Sequence, residues 1–376
     1  MITLSANAIP NILTSGMVVG TLSSDALTGA ITYSIDAQDP PGIFTIVGNK
    51  IVVLNPTTLE AVTQALATIA VSGNAGADAD TGTLSLTVNV LTPELGTPSD
   101  NLLDGLTGSL HVQAGDGNDE IRFTFEESPS HTAVIDGGDG NDNINYIVMP
   151  GLPGAVDNPD MVIGGAGDDY IFVGGDSVNA TVDAGMGADN IAMRIGTIHL
   201  GGDMDRDTVN VYAFSDVTVH GFNPTSDRIR IDYLLDEIRN QYGMYQGIAG
   251  WDGQSNPFAP AASAPNGFID LVQDGNGDTL VQVWRETLDN GNFVYSFVTV
   301  ARLTNVNTLD LNSNSFYPVV DPTGTTFEVL TINGNSELPE LLIGGLAGDT
   351  INGGAGFDEI VGSYGNDTLK IGRAHV

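Results

Sequence analysis

A nine-residue pattern recurs along this chain, and it restricts the fold more than any other feature. Its form is Gly-Gly-x-Gly-x-Asp-x-apolar-x. Clear copies are AGDGNDEIR (114–122), GGDGNDNIN (137–145), GGAGDDYIF (164–172) and AGMGADNIA (184–192). A degenerate copy, GDMDRDTVN (202–210), has Asp205 where glycine is expected. Three more follow one another near the end: GGLAGDTIN (344–352), GGAGFDEIV (353–361) and GSYGNDTLK (362–370). Each early copy is preceded two residues earlier by an apolar residue: Val112, Ile135, Val162, Val182 and Leu200. A unit this short cannot bury an apolar face alone and has to stack on copies of itself.

Between these copies lie nonapeptides that keep the strand and lose the aspartate. GLTGSLHVQ (105–113), GDSVNATVD (175–183) and MRIGTIHLG (193–201) carry Leu110, Ala180 and Ile198 in that slot. From 175 to 210 the register reads as unbroken. Two nonapeptides then make one turn of a parallel coil, with aspartate loops stacked on one edge and plain loops on the other. In the last block all three units keep the aspartate, so both edges would carry it.

The pattern suits calcium. Ca²⁺ takes six to eight hard oxygen ligands at about 2.3–2.6 Å in flexible geometry. Glycines let a loop take positive φ and bring carbonyls inward, and the aspartate adds a carboxylate. One loop cannot complete the shell, but two stacked loops can share an ion. The candidate ligands are Asp119, Asp142, Asp169, Asp189 and Asp207, then Asp349, Asp358 and Asp367. One match would mean little, because these are ordinary turn residues. Seven close copies and one degenerate copy in a matched register carry far more weight. Two other acidic clusters, Asp203–Asp207 and Asp274–Asp278, begin like EF-hand loops. Phe214 and Arg285 stand where the closing glutamate belongs.

Composition agrees. Asp and Glu number 47 against 11 Lys and Arg, a formal charge of -36. That charge repels phosphate backbones and anionic headgroups, which excludes nucleic acid as a partner and favours cations. The 41% hydrophobic content, set in β-type alternation, is too high for a disordered chain. There is no cysteine, so in an exported protein metal is the natural staple. No apolar run is long enough to span a membrane, and no secretory signal peptide is visible at the N-terminus.

On these residues the repeats resemble the RTX (repeats-in-toxin) family of Gram-negative bacteria. The resemblance implies calcium-loaded parallel β-rolls, with the metal-binding aspartate mapping onto the eight positions above. Asp207 and Asp349 fit least, since Asp205 and Ala347 replace the loop glycine. It also implies type I secretion and an extracellular or cell-surface location.

Residues 1–92 resemble the cadherin-like modules of bacterial surface proteins, through ITLSANAIPN, MVVGTLS, ITYSI, GIFTI and LSLTVNV. That implies a β-sandwich. Asn11 and Ile12 stand where a glutamate-containing motif is usual, so the fold carries over without its calcium sites, as a spacer. Thr58–Ile69 has Leu59, Val62, Leu66 and Ile69 at helical spacing and reads as a short helix.

The whole is expected to be all-β. After the 1–92 sandwich, Leu91 to Asp100 reads as a polar linker with two prolines. A roll follows over 101–232, closed by strands in 217–232 that bury Phe222, Ile229 and Ile231. Residues 233–320 read as an antiparallel β-rich cap with a short helix from Tyr233 to about Tyr245 and with Trp251 and Trp284 in its core. A second roll block covers 321–370, and 371–376 read as a non-native, adapter-derived tail.

No catalytic constellation appears. There is no His-Glu-x-x-His helix and no Gly-x-Ser-x-Gly elbow. His111 and His199 read as solvent-facing. The expectation is a non-enzymatic, secreted, structural or adhesive calcium-binding protein. Its expected partners are calcium ions, type I secretion machinery and a cell-surface or carbohydrate target. The alternative is the accessory tail of an RTX protease, lipase or polysaccharide-modifying enzyme whose catalytic domain lies elsewhere.

Overall fold

The computed structural model describes residues 1–376 except 7, 12, 14, 40, 56–65, 90, 92, 105–109, 127–131, 150–158, 175–179, 203, 240–250, 252–254, 262, 263, 265, 290, 291, 326–328, 335–339, 356, 357 and 371–376. The fold is all-β, with one α-helix among the described residues. No helix of the described residues is long and apolar enough to cross a membrane. The chain divides into two compact units, Met1–Asp203 and Met204–Val376.

The first unit begins with two four-stranded sheets. One orders its strands Ile2–Leu4, Val18–Ser24, Lys50–Val53, Phe44–Val47, and the other Ala8–Pro10, Asp78–Asn89, Leu66–Ala75, Thr32–Asp39. Alternating residues of both supply one apolar cluster that includes Ile9, Val19, Leu22, Ile43, Ile51, Ile69, Val71 and Leu86. Each fully buried aliphatic side chain there contributes about 1.5–3 kcal/mol. The helix expected over Thr58–Ile69 is corrected at its end. Leu66 opens a ten-residue strand, because Ala67, Ile69 and Val71 alternate into that core. The earlier part of that segment lies outside the described residues.

From Pro93 the chain coils. One parallel sheet stacks Pro93–Leu95, Leu110–Asp116, Ala133–Asp139, Asp160–Ala166, Ala180–Met186 and Ile195–His199. The facing one stacks Leu102–Asp104, Glu120–Glu126, Asn143–Met149, Tyr170–Gly174 and Asn190–Met193. Val112, Ile135, Val162, Val182 and Ile198 from the first, with Ile121, Ile144, Ile171 and Ile191 from the second, are fully buried between them. The aspartate loops 117–119, 140–142, 167–169 and 187–189 all lie on one edge, as the alternation of units predicts.

Two expectations are corrected here. The segment read as a linker is the first coil: His111 pairs with Pro93, and Leu102 with Glu120. Its prolines fall at the start of an outermost strand and in a loop, where no ladder N–H is needed. The register past 175 is also broken. Val182 pairs with Ile198, and Ala180 with Gly196, so that coil is 16 residues and not eighteen.

The N-terminal sheets are not a free spacer. Val134 and Met161, on the outer face of the first roll sheet, belong to their apolar cluster. The Val18 N–H donates to Thr181 Oγ1 at 3.0 Å, and Gly16 lies against the His199 ring. His111 and His199 are thus covered and not solvent-facing. Only 7% of His111 is exposed, and burial lowers the pKa of His199.

In the second unit, Thr208–Asn210 pairs in parallel with Arg228–Arg230, and that strand with Phe316–Tyr317. Phe222, Ile229 and Ile231 are buried. An antiparallel sheet of Ile269–Gln273, Thr279–Asp289 and Asn292–Leu303 takes Asp216–His220 as a parallel neighbour. The helix spans Asp232–Arg239 and buries Leu234, Leu235 and Ile238. Trp251 is buried, whereas Trp284 is half-buried beside Tyr295 and Phe297. The last block is parallel again. Thr331–Asn333, Thr350–Asn352 and Thr368–Lys370 form one ladder, and Leu341–Ile343 with Glu359–Val361 another.

Candidate metal centre

Each aspartate loop joins a strand of one roll sheet to a strand of the other across three residues, 117–119, 140–142, 167–169 and 187–189. In the second loop Gly138 and Gly140 have φ of +104° and +129°, a region that side chains disfavour. A methyl on Gly138 would meet the Gly115 carbonyl oxygen at 1.9 Å, and one on Gly140 the Gly117 carbonyl oxygen at 2.0 Å. The loops therefore stack carbonyl upon glycine, which explains the spacing of the motif.

The aspartates form a ladder. Asp119 Oδ1 accepts the Asn101 N–H at 2.7 Å, Asp142 Oδ1 the Asp119 N–H at 2.7 Å, Asp169 Oδ1 the Asp142 N–H at 2.8 Å and Asp189 Oδ1 the Asp169 N–H at 2.9 Å. Asp119, Asp142 and Asp169 are each 2% exposed. No hydrogen-bond donor among the described residues reaches their second oxygen, Oδ2, which is buried. A methyl on Gly137 would lie 2.3 Å from Asp142 Oδ2 and 2.6 Å from the Gly164 carbonyl oxygen. One on Gly164 would lie 2.4 Å from Asp169 Oδ2 and 2.3 Å from the Ala184 carbonyl oxygen. Each Oδ2 thus has a carbonyl oxygen of the next coil as a near neighbour. Burial, with neighbouring carboxylates adding to it, pushes Asp142 up to about 6 and Asp169 up to about 7.

Other aspartates repeat the first bond and differ at the second. Asp160 Oδ1 accepts the Ala133 N–H at 2.7 Å, and its Oδ2 accepts the Tyr146 hydroxyl at 2.5 Å. Asp227 Oδ1 accepts the Asp207 N–H at 3.3 Å, and its Oδ2 the Asn223 N–H at 2.7 Å. Asp349 Oδ1 accepts the Leu330 N–H at 2.7 Å, and its Oδ2 the Gly345 N–H at 2.6 Å.

The eight expected ligands therefore differ. Asp119, Asp142, Asp169 and Asp189 share one edge. In the second unit the Asp207 N–H runs to Asp227, and Asp349 has a backbone donor on each oxygen. Asp367 Oδ1 accepts the Asp349 N–H at 2.8 Å and Asp358 Oδ1 the Glu340 N–H at 3.2 Å. They precede strands of opposite ladders, and both are half-exposed. Among the described residues no three His, Cys, Asp or Glu side chains converge as a metal-binding group. Carbonyl oxygens would have to supply the rest of a shell. Asp274 and Asp278 are held by the Arg302 guanidinium, which drives Asp274 down to about 2 and makes that turn an ion pair.

A second ladder escaped the sequence reading. Asp100 Oδ1 accepts the Asn118 N–H, Asn118 Oδ1 the Asn141 N–H, Asn141 Oδ1 the Asp168 N–H and Asp168 Oδ1 the Ala188 N–H, at 2.8–3.0 Å. Its signal was the Asn or Asp standing just before the ligand aspartate in three loops. In comparisons with known proteins, no family model matches the chain and no curated protein matches it.

Proposed function

We propose that this chain is a calcium-binding repeat protein of the RTX type. It is secreted and folds its roll around Ca²⁺ outside the cell, as part of a structural or adhesive surface protein. The supporting observation is the contrast among aspartates. At Asp160, Asp227 and Asp349 a hydroxyl or N–H meets the second oxygen. At Asp119, Asp142 and Asp169 that oxygen is buried and no donor among the described residues reaches it, and at Asp142 and Asp169 a carbonyl oxygen of the next coil lies close by. Leaving a buried acceptor unmatched costs about 1–3 kcal/mol, more when it is charged, and a cation removes that penalty.

The donor set is carboxylate and carbonyl oxygen, with neither imidazole nor thiolate in these loops. Such a set favours Ca²⁺, Mg²⁺ or Mn²⁺ over softer metals, and irregular loop geometry favours calcium over octahedral magnesium. Asp119, Asp142, Asp169 and Asp189 would hold the ions together with loop carbonyls. Asp358 and Asp367 come next, and Asp207 and Asp349 last. The ion would supply charge neutralisation and a cross-link between coils. If each site has a Kd of about 10⁻⁴–10⁻³ M, millimolar calcium adds roughly 0.4–1.4 kcal/mol per site. Several sites together would decide whether so acidic a chain stays folded. Type I secretion machinery and a cell-surface or carbohydrate target remain the partners this reading carries.

The test is a calcium titration of the metal-free chain followed by far-ultraviolet circular dichroism. A cooperative coil-to-β transition near millimolar calcium, weakened in the Asp142→Ala, Asp189→Ala double variant, is expected. A chain already folded in chelator and indifferent to calcium would reduce the loops to plain turns.

A further inference from the structure

The first coil carries a loop with no aspartate at its end. Gly96-Thr97-Pro98-Ser99-Asp100-Asn101 stacks on the loop 114–119. A methyl on Gly96 would meet the Ala114 carbonyl oxygen at 1.9 Å, and the Gly96 N–H donates to the Gln113 carbonyl at 2.7 Å. Asn101 thus occupies the slot that Asp119, Asp142 and Asp169 occupy in later coils. Its N–H joins their ladder through Asp119 Oδ1.

The side chain of Asn101 does something theirs cannot. Its Nδ2 donates to the Thr97 carbonyl at 3.1 Å, to the Ser99 carbonyl, and to Asp119 Oδ1 at 2.8 Å. Its Oδ1 accepts the Thr97 hydroxyl at 2.9 Å. Three acceptors converging on one atom fix which end of the amide is nitrogen. In loop position, Thr97 and Ser99 correspond to Gly115 and Gly117 of the next loop, whose carbonyls point at the coil above. The nitrogen therefore sits among two carbonyls of its own loop and one carboxylate oxygen of the following coil, Asp119 Oδ1, the kinds of oxygen that a cation between loops would take.

We infer that Asn101 is a built-in substitute for a cation. Its amide closes the gap between the first and second loops without metal, and the roll begins with an ion-independent coil. The inference rests on the calcium reading above and adds where ion binding starts. It also identifies one side chain that sets the number of ions bound.

Equilibrium dialysis of the full chain against millimolar CaCl₂ tests it, comparing the parent with Asn101→Asp. The variant restores a carboxylate and removes the donor. It is expected to bind one more calcium per chain, and to melt at lower temperature than the parent in chelator. Equal stoichiometry in two chains that both load calcium would overturn the inference and leave the calcium reading intact. No bound calcium in either chain would remove both. Should the variant fail to fold, Asn101→Ala keeps the question open to test. It is expected to lower the melting temperature in chelator, and an unchanged midpoint would overturn the role given to the amide.

Discussion

Asp160 and Asp142 each accept a backbone N–H from the preceding coil, and only Asp160 has a phenol hydroxyl on its other oxygen. That difference shapes the pH response. An ordinary aspartate titrates near 3.8, while burial raises Asp142 to about 6 and Asp169 to about 7 in the folded chain. A raised carboxyl binds its proton more tightly folded than unfolded, so folding is favoured while it stays protonated. The contribution of these two carboxyls to the stability of the metal-free roll is thus fully present below about pH 4 and is lost as pH rises through 6 and 7. Melting in chelator should give a higher midpoint at pH 5 than at pH 8, and added calcium should raise the midpoint far more at pH 8. The reverse order would mean that these carboxylates are ionised at no cost in the folded chain. The eight repeat aspartates were legible because a repeated spacing exposes them. Asn101 was not, because its loop keeps only one glycine of the motif and its role depends on which atoms the stacking brings together.

At the level of strands and loops, the two edges of the roll obey different rules. The aspartate edge spends six residues on its first crossing and three on each of the next four. On the other edge the sequence gap between described strand ends changes from coil to coil, from Asp104 to Leu110, Glu126 to Ala133, Met149 to Asp160, Gly174 to Ala180 and Met193 to Ile195, so after the first loop the coil length is set there. A nine-residue template could reveal the strands, since each apolar position recurs two residues after the aspartate slot. It could not reveal coil length, which nothing on the plain edge holds constant. This also explains the misread linker and the broken register. Four Gly/Ser residues inserted after Leu152 should leave calcium stoichiometry unchanged and lower stability only slightly, since each doubling of loop length costs about 0.6 kcal/mol. One residue inserted after Gly167 should lose bound calcium, because it shifts Asp169 against both neighbours. Equal calcium loss in the two variants would show that both edges take part in binding.

At the scale of the first unit, the N-terminal sheets and the roll share apolar surface and polar contacts. Val134, Met161, Thr181 and His199 sit on four successive strands of one roll sheet, and the first three meet the N-terminal sheets or their core directly. Ordering the coils should therefore order the sheets. Hydrogen exchange on the full chain is expected to show the Val18 amide gaining protection together with the loop amides of Asp119, Asp142 and Asp169 as calcium is added. Loop protection without any change at Val18 would mean that the two parts fold independently. Sequence patterns show each part separately, because alternation records which side of a strand is apolar and not what covers it.

The same contacts have a mechanical meaning. A body laid across several coils works as a splint: tension that separates one coil from the next must first shear it away from all of them. In a chain stretched between two anchored points, the N-terminal sheets would act as a brake on unwinding, with the load shared between apolar contact and the hydrogen bond from Val18 to Thr181.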